Sequence, residues 1–251
     1  MTTPAPINIF DFDGTLTTET WPKFLAWTKK FGYNGTERND QLEAALADYR
    51  ATHTGDYLET YFGFFSDLLT DHGATLTYPE FMEGERFVTY NPGVTDFIQA
   101  SQIKNYIVSG GLREFLQHLA IAPHFHGIYG TPVCHDESGL ISGIGEVMTN
   151  VKKLRAIADI LVKNGRQPDD CRDVFYVGDG YSDAPAMRFV HDRGGKAIFV
   201  LPASQDDLYF ETNQQIYRDL NADGIIDFCC LADYRPGTDL ANLLNRQASV
   251  L

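Results

Sequence analysis

The sequence predicts an α/β fold, in which a parallel β-sheet is covered by helices on both faces and a helical segment is inserted after the first strand. Three observations predict it. Short apolar, β-prone runs recur along the 251 residues, and helical patterns separate most of them. The interval from about residue 17 to 90 instead carries helical spacing of Leu, Phe, Tyr and Ala, with no convincing buried strand.

The first run is 7–12 (INIFDF), which stops at Asp-Gly and reads as a buried strand entering a loop. Similar runs follow at 105–108, 126–130, 173–177, 196–201 and 225–232. Residues 151–162 (VKKLRAIADILV) form a helical pattern with Asn150 as its N-cap. Within the insertion, 22–31, 41–50 and 56–70 have helical spacing, and Tyr57, Tyr61, Phe62, Phe64 and Phe65 read as its core. Tyr90-Asn91-Pro92-Gly93 marks the return to the sheet. The expected division is therefore a core of 1–16 and 92–251 with a helical module of 17–91. The segment 132–145, with turn residues Asp136 to Gly139, predicts a β-hairpin.

Composition excludes several classes. Hydrophobic residues at 43% rule out a disordered chain. The net charge of −14, with no basic run, disfavours nucleic acid and anionic membrane as partners. An anionic ligand would need a local cation to be held here. No stretch approaches the roughly 18 apolar residues of a membrane span. The N-terminus MTTPAPINIFDFD lacks a signal peptide's basic region, so a cytoplasmic location is expected. Cys134, Cys171, Cys229 and Cys230 form no CxxC pair and read as buried free thiols.

Three strand exits are polar or glycine-rich. They are Asp11-Phe12-Asp13-Gly14-Thr15-Leu16-Thr17, Ile107-Val108-Ser109-Gly110-Gly111, and Val177-Gly178-Asp179-Gly180-Tyr181-Ser182-Asp183. Lys152 and Lys153 lie in the first turn of the helix between the last two. Taken singly, these read as a turn, a helix cap and solvated lysines. Together, in order and at the carboxyl ends of parallel strands, they converge on the rim where such sheets bind ligands.

These motifs resemble those of the haloacid dehalogenase superfamily, which run as DxDGT, an apolar run ending in Ser or Thr, a Lys, and GDxxxD. The match spans Asp11 to Asp183, and the helical insertion is similar to the cap of the phosphoserine-phosphatase-like branch. The resemblance implies a Rossmann-like three-layer core and Mg²⁺-dependent hydrolysis of a small phosphorylated metabolite. Asp11 would be the nucleophile, forming an aspartyl-phosphate, and Asp13 the general acid and then base. Ser109, Gly110 and a lysine would hold the phosphoryl group. Asp11, the Asp13 carbonyl and Asp179 would hold the metal, with Asp183 orienting the lysine or a metal-bound water. Lys153 suits the lysine motif better than Lys152, because Ile157 and Ile160 follow it by four and seven residues. Asp13 separates the chain from the dehalogenase branch, which lacks that acid, and Phe12 and Asp13 separate it from the DKTGT pattern of P-type ATPases. A phosphotransferase or mutase of the same fold, or a non-catalytic binder of a phosphorylated metabolite, are the alternatives.

Other signals weigh less. Asp219 to Asp227 matches most of a calcium loop, but the twelfth position is Cys230 and the segment runs toward a strand. His118, His124 and His126 have no fourth ligand at zinc-like spacing. Glu19, shortly after the first motif, is a candidate for meeting a substrate ammonium group, with Arg50 and Arg86 as candidate cap cations. The sequence names neither the phosphate ester nor the oligomeric state.

Overall fold

A computed structural model describes residues 5–18, 40–55, 57–71 and 77–246. At its centre is β1 (Ile7–Phe10), paired in parallel with β2 (Lys104–Leu112) on one side and β6 (Val174–Gly178) on the other. β3 (Gly127–Thr131), β7 (Lys196–Leu201) and β8 (Phe228–Leu231) complete a six-stranded sheet of order β3-β2-β1-β6-β7-β8, with every ladder parallel. The order reverses between β1 and β6. A crevice opens at such a switch point, outside the carboxyl ends of the strands.

Alternation along the strands builds two cores, because successive side chains leave a strand on opposite faces. Ile7, Ile9, Tyr106, Val108, Tyr176 and Phe199 pack on one face against α6 (Asn150–Lys163), α7 (Ala184–His191) and α8 (Phe210–Ala222). Phe10, Ile107, Val177, Ile198 and Val200 pack on the other against α4 (Val94–Ala100), α5 (Arg113–His118) and α9 (Asp239–Leu244). The expected three layers are present.

The described part of the insertion is helical: α1 (Asp40–Thr52), α2 (Tyr57–Asp71) and α3 (Tyr78–Met82), followed by a 3₁₀ turn over Glu83–Phe87. The pattern at 22–31 lies outside the described residues. Phe62, Phe65, Phe81 and Met82 are buried in the second core, so this segment packs against the sheet's helices. The chain leaving and re-entering the sheet runs as an adjacent pair. Thr17 bridges Tyr90, Thr18 N–H donates to Thr89 O (2.9 Å), and Asn91 N–H donates to Leu16 O (3.0 Å). The predicted hairpin is β4 (Val133–His135) with β5 (Ile141–Ile144), and Ile144 N–H ties it to Ser66 Oγ of α2 (3.2 Å).

Some boundaries differ from expectation. β1 ends at Phe10, because the chain tightens into a turn at Asp11. β2 runs on to Leu112, because after a register shift Leu112 pairs with Thr131. The N-cap of α6 is Thr149 rather than Asn150, with no side-chain cap bond. All four cysteines are free, but Cys134 is exposed on the hairpin. Among the described residues, no helix is long and apolar enough to cross a membrane.

Candidate active site

The loop after β1 and the loop after β6 are built around each other. Asp11 N–H donates to Val177 O (2.9 Å), and the amides of Leu16 and Thr17 both donate back to Phe12 O (2.8 and 3.2 Å). Phe12 and Leu16 are buried, which pins the turn from below and leaves Asp11, Asp13 and Thr15 at the rim. Gly14 makes the turn possible with a φ of +74°, and a Cβ there would fall 2.1 Å from Asp179 Oδ2. Thr15 Oγ1 donates to Asp179 Oδ1 (3.1 Å), so the two loops are also joined by a hydrogen bond.

Helix α6 aims Lys153 into this centre. Its side chain is only 2% exposed, and Nζ donates to Asp11 Oδ1 (3.0 Å) and Asp183 Oδ1 (2.8 Å). Ile157 and Ile160, one and two turns on, are fully buried and fix that face of the helix inward. Lys152 instead bonds Val147 O (2.7 Å) and Glu146 (2.9 Å). Asp183 is fully buried, and both of its oxygens are engaged. Tyr176 Oη donates to Oδ1 (2.7 Å), while the amides of Asp179 and Gly180 donate to Oδ2 (3.2 and 3.3 Å).

The electrostatics leave negative charge in excess. Burial pushes the Asp11 carboxyl up to about 7, with repulsion from Asp183 and Asp13 adding to it and Lys153 opposing. Burial likewise raises Asp179 well above the usual carboxylate range, with Asp183 and Asp11 contributing. Lys153 is held charged, because Asp11 and Asp183 together outweigh the cost of burying it. One lysine thus faces three acids whose carboxylate oxygens lie within 4.8 Å of one another: Asp11, Asp179 and Asp183. Asp183 is saturated by its four donors, so Asp11 and Asp179 are the side chains able to hold a cation. A set of hard carboxylate oxygens with surplus charge suits Mg²⁺.

Beside the loop after β1, β2 presents Ser109, which is 1% exposed and accepts the Gly111 N–H on Oγ (3.0 Å). A Cβ on Gly111 would lie 3.3 Å from Ser109 Oγ and 3.5 Å from Asp13 Oδ2, so the hydroxyl and that carboxylate flank the same glycine. Gly110 and Gly111 lie in the segment that reads in sequence as a helix cap. They instead belong to β2, where Thr131 Oγ1 donates to Gly110 O (2.8 Å) and the short α5 starts only at Arg113. Leu58 of α2 covers Gly110, since a Cβ there would fall 2.7 Å from its Cδ1.

The family described as haloacid dehalogenase-like hydrolase matches residues 9–188, which include all of these groups. The chain belongs to that family. No curated protein sequence matches it significantly. Solved structures are similar in fold. A HAD family hydrolase from Salmonella enterica subsp. enterica serovar Typhi has a TM-score of 0.63 at 17% identity, over 97% of this chain and 72% of that one. A phospho-aspartyl intermediate analogue of phosphoserine phosphatase has a TM-score of 0.62 at 15% identity, over 97% and 99% of the two chains. A substrate-bound phosphoserine phosphatase complex has 0.61 at 16%, over 98% and 99%.

Within this haloacid dehalogenase-like hydrolase the remaining candidates separate. Glu19 lies outside the described residues. Arg50 is in α1, and Arg86 pairs with Glu83 at the surface (3.4 Å). His118, His124 and His126 are exposed and take no part in the acidic group. The calcium-loop pattern is broken up by the fold. Residues 219–222 are the last turn of α8, Asp219 bonds Tyr181 Oη (2.5 Å), Asp223 bonds Arg188 (3.2 Å), and Asp227 bonds His191 and Lys196 (both 2.9 Å). Residues outside the motif reading also reach the site: Tyr176, Asn91, Asn213 and Tyr234. Tyr176 looks in sequence like one more apolar strand residue, Asn91 like part of a turn, and Asn213 and Tyr234 carry no local pattern.

Proposed function

We propose that this hydrolase is a Mg²⁺-dependent phosphatase that cleaves a small phosphomonoester through an aspartyl-phosphate on Asp11. The observation that carries the reading is the placement of Asp11. It stands at the switch point, 3.0 Å from a buried lysine and beside Asp179, with Asp13 of the same loop and Ser109 of the neighbouring strand both flanking Gly111.

In the first step an Asp11 oxygen attacks phosphorus as the ester P–O bond breaks, and Asp13 gives its proton to the departing oxygen. In the second, Asp13 takes a proton from water, and that water's oxygen displaces Asp11 from phosphorus to release inorganic phosphate. Ser109 Oγ and the Gly110 amide hold phosphoryl oxygens, and Lys153 balances charge shared between Asp11 and the phosphoryl group. Asp11, the Asp13 carbonyl and Asp179 would hold Mg²⁺, which when bound shields the anionic ester from the anionic nucleophile. Asp183 keeps Lys153 in place. Residues 17–91 serve as a cap that excludes water from the first step, with Leu58 already set over Gly110.

The test is phosphate release from a panel of phosphomonoesters, with Mg²⁺ and with EDTA. Metal-dependent release that Asp11→Asn abolishes is the expected result. Full activity in Asp11→Asn would overturn the nucleophile assignment.

A further inference from the structure

The family match ends at residue 188, yet residues beyond it reach Asp179. Asn213, on the first turn of α8, donates from Nδ2 to Asp179 Oδ2 in a long hydrogen bond of 3.4 Å. The other oxygen, Oδ1, accepts Thr15 Oγ1 at 3.1 Å. Thr15 is itself clamped through its backbone. Its carbonyl accepts from Tyr234 Oη (3.1 Å), which follows β8, and from Asn91 Nδ2 (2.9 Å), which lies on the chain returning to the sheet. Asn91 Nδ2 also donates to Thr17 O (3.2 Å). Tyr234 is 1% exposed, its ring packed against Phe10 and Phe97, so its hydroxyl has little freedom to point elsewhere.

We propose that Asn213 and Tyr234 are positioning residues for Asp179, acting from the two sides of its carboxylate, Asn213 directly and Tyr234 through Thr15. This rests on the reading of Asp179 as a metal ligand. The physical case is orientation. Asp179 is repelled by Asp11 and Asp183, and a carboxylate under that repulsion turns away unless each oxygen has a donor. With one donor on each oxygen, Asp179 keeps its face toward Asp11 and retains a lone pair per oxygen for a cation. Residues that orient a ligating carboxylate in this way typically matter about 10–100-fold in metal affinity or activity.

The test is Mg²⁺ binding measured by titration calorimetry without substrate, on wild type, Asn213→Ala and Tyr234→Phe, alongside the Mg²⁺ dependence of turnover. The expected result is a Kd for Mg²⁺ weakened about tenfold in Asn213→Ala and severalfold in Tyr234→Phe. The KM for the phosphomonoester should stay within about twofold at saturating Mg²⁺, and far-UV circular dichroism should be unchanged. A purely structural role would lower the melting temperature and leave the Kd of the folded protein unaltered. Wild-type binding with unchanged affinity in both variants overturns the positioning claim alone. A wild type that binds no Mg²⁺ overturns the metal reading and the positioning claim together. Mg²⁺ binding without phosphomonoester hydrolysis overturns the phosphatase reading and leaves the variants' affinities to decide the positioning claim.

Discussion

Lys153 Nζ stands 3.0 Å from Asp11 Oδ1 and 2.8 Å from Asp183 Oδ1, a single buried cation shared by two buried carboxylates. Removing one partner from a buried ion pair leaves charge with no counterion, at a cost of about 3–5 kcal/mol. Lys153→Ala is therefore expected to lower the unfolding free energy by about that amount at neutral pH, as well as activity. Urea unfolding checks it, and an unchanged midpoint would contradict the account.

Asp11 gives a pH signature of defined sign. Burial raises its carboxyl to about 7 in the folded protein, against about 4 in an unfolded chain. Its contribution to stability is fully present below the unfolded value and is lost as pH rises through about 7. In metal-free protein, Asp11→Asn should flatten the fall in stability between pH 4 and pH 7. Parallel stability curves for variant and wild type would refute this.

Asp227 has the opposite sign. Burial alone would raise it, but the hydrogen bonds from His191, the Ala197 amide and Lys196 hold it below the usual carboxylate range. Its stabilisation is present above the unfolded pKa and is lost as pH falls through the folded one. Asp227→Asn should cost stability at pH 7 and lose that effect in acid, which thermal melts at two pH values would detect.

Mg²⁺ should stabilise the protein, because it offsets repulsion among Asp11, Asp179 and Asp183. At about 100 times its Kd a ligand adds about 2.7 kcal/mol, which is visible as a higher melting temperature. Gly14→Ala should abolish that gain, since its Cβ would fall 2.1 Å from Asp179 Oδ2 and the left-handed φ of +74° disfavours any side chain. A Gly14→Ala protein that Mg²⁺ still stabilises to the wild-type extent would contradict the proposed site.

Much of this was legible in the sequence, because the chemistry is local to strand exits. Asp11, Asp13, Ser109, Asp179 and Asp183 each follow a short apolar run, and a parallel sheet brings such exits to one rim. Lys153 was legible over Lys152 through Ile157 and Ile160, whose burial turns that face inward. The acids from Asp219 to Asp227 match most of a calcium loop in sequence, but Cys230 at the twelfth position and the approach to a strand already weighed against it, and the fold gives those acids separate partners. One local pattern misled for want of fold context. Gly110 and Gly111 look like a helix start, but β2 runs on through them to Leu112, which pairs with Thr131 beyond a register shift. What was missed acts at long range. Tyr234 meets Thr15 across 219 positions, and Asn213 meets Asp179 across 34, separations that no motif spacing encodes.

The central claim is a phosphoryl group carried covalently by Asp11. It is tested most directly by rapid acid quench during turnover of a phosphomonoester, followed by peptide mass spectrometry. The account predicts a base-labile adduct of one phosphoryl group on the peptide containing Asp11, absent from Asp11→Asn. Steady phosphate release with no adduct on that peptide at any quench time, or an adduct that persists in Asp11→Asn, would contradict it.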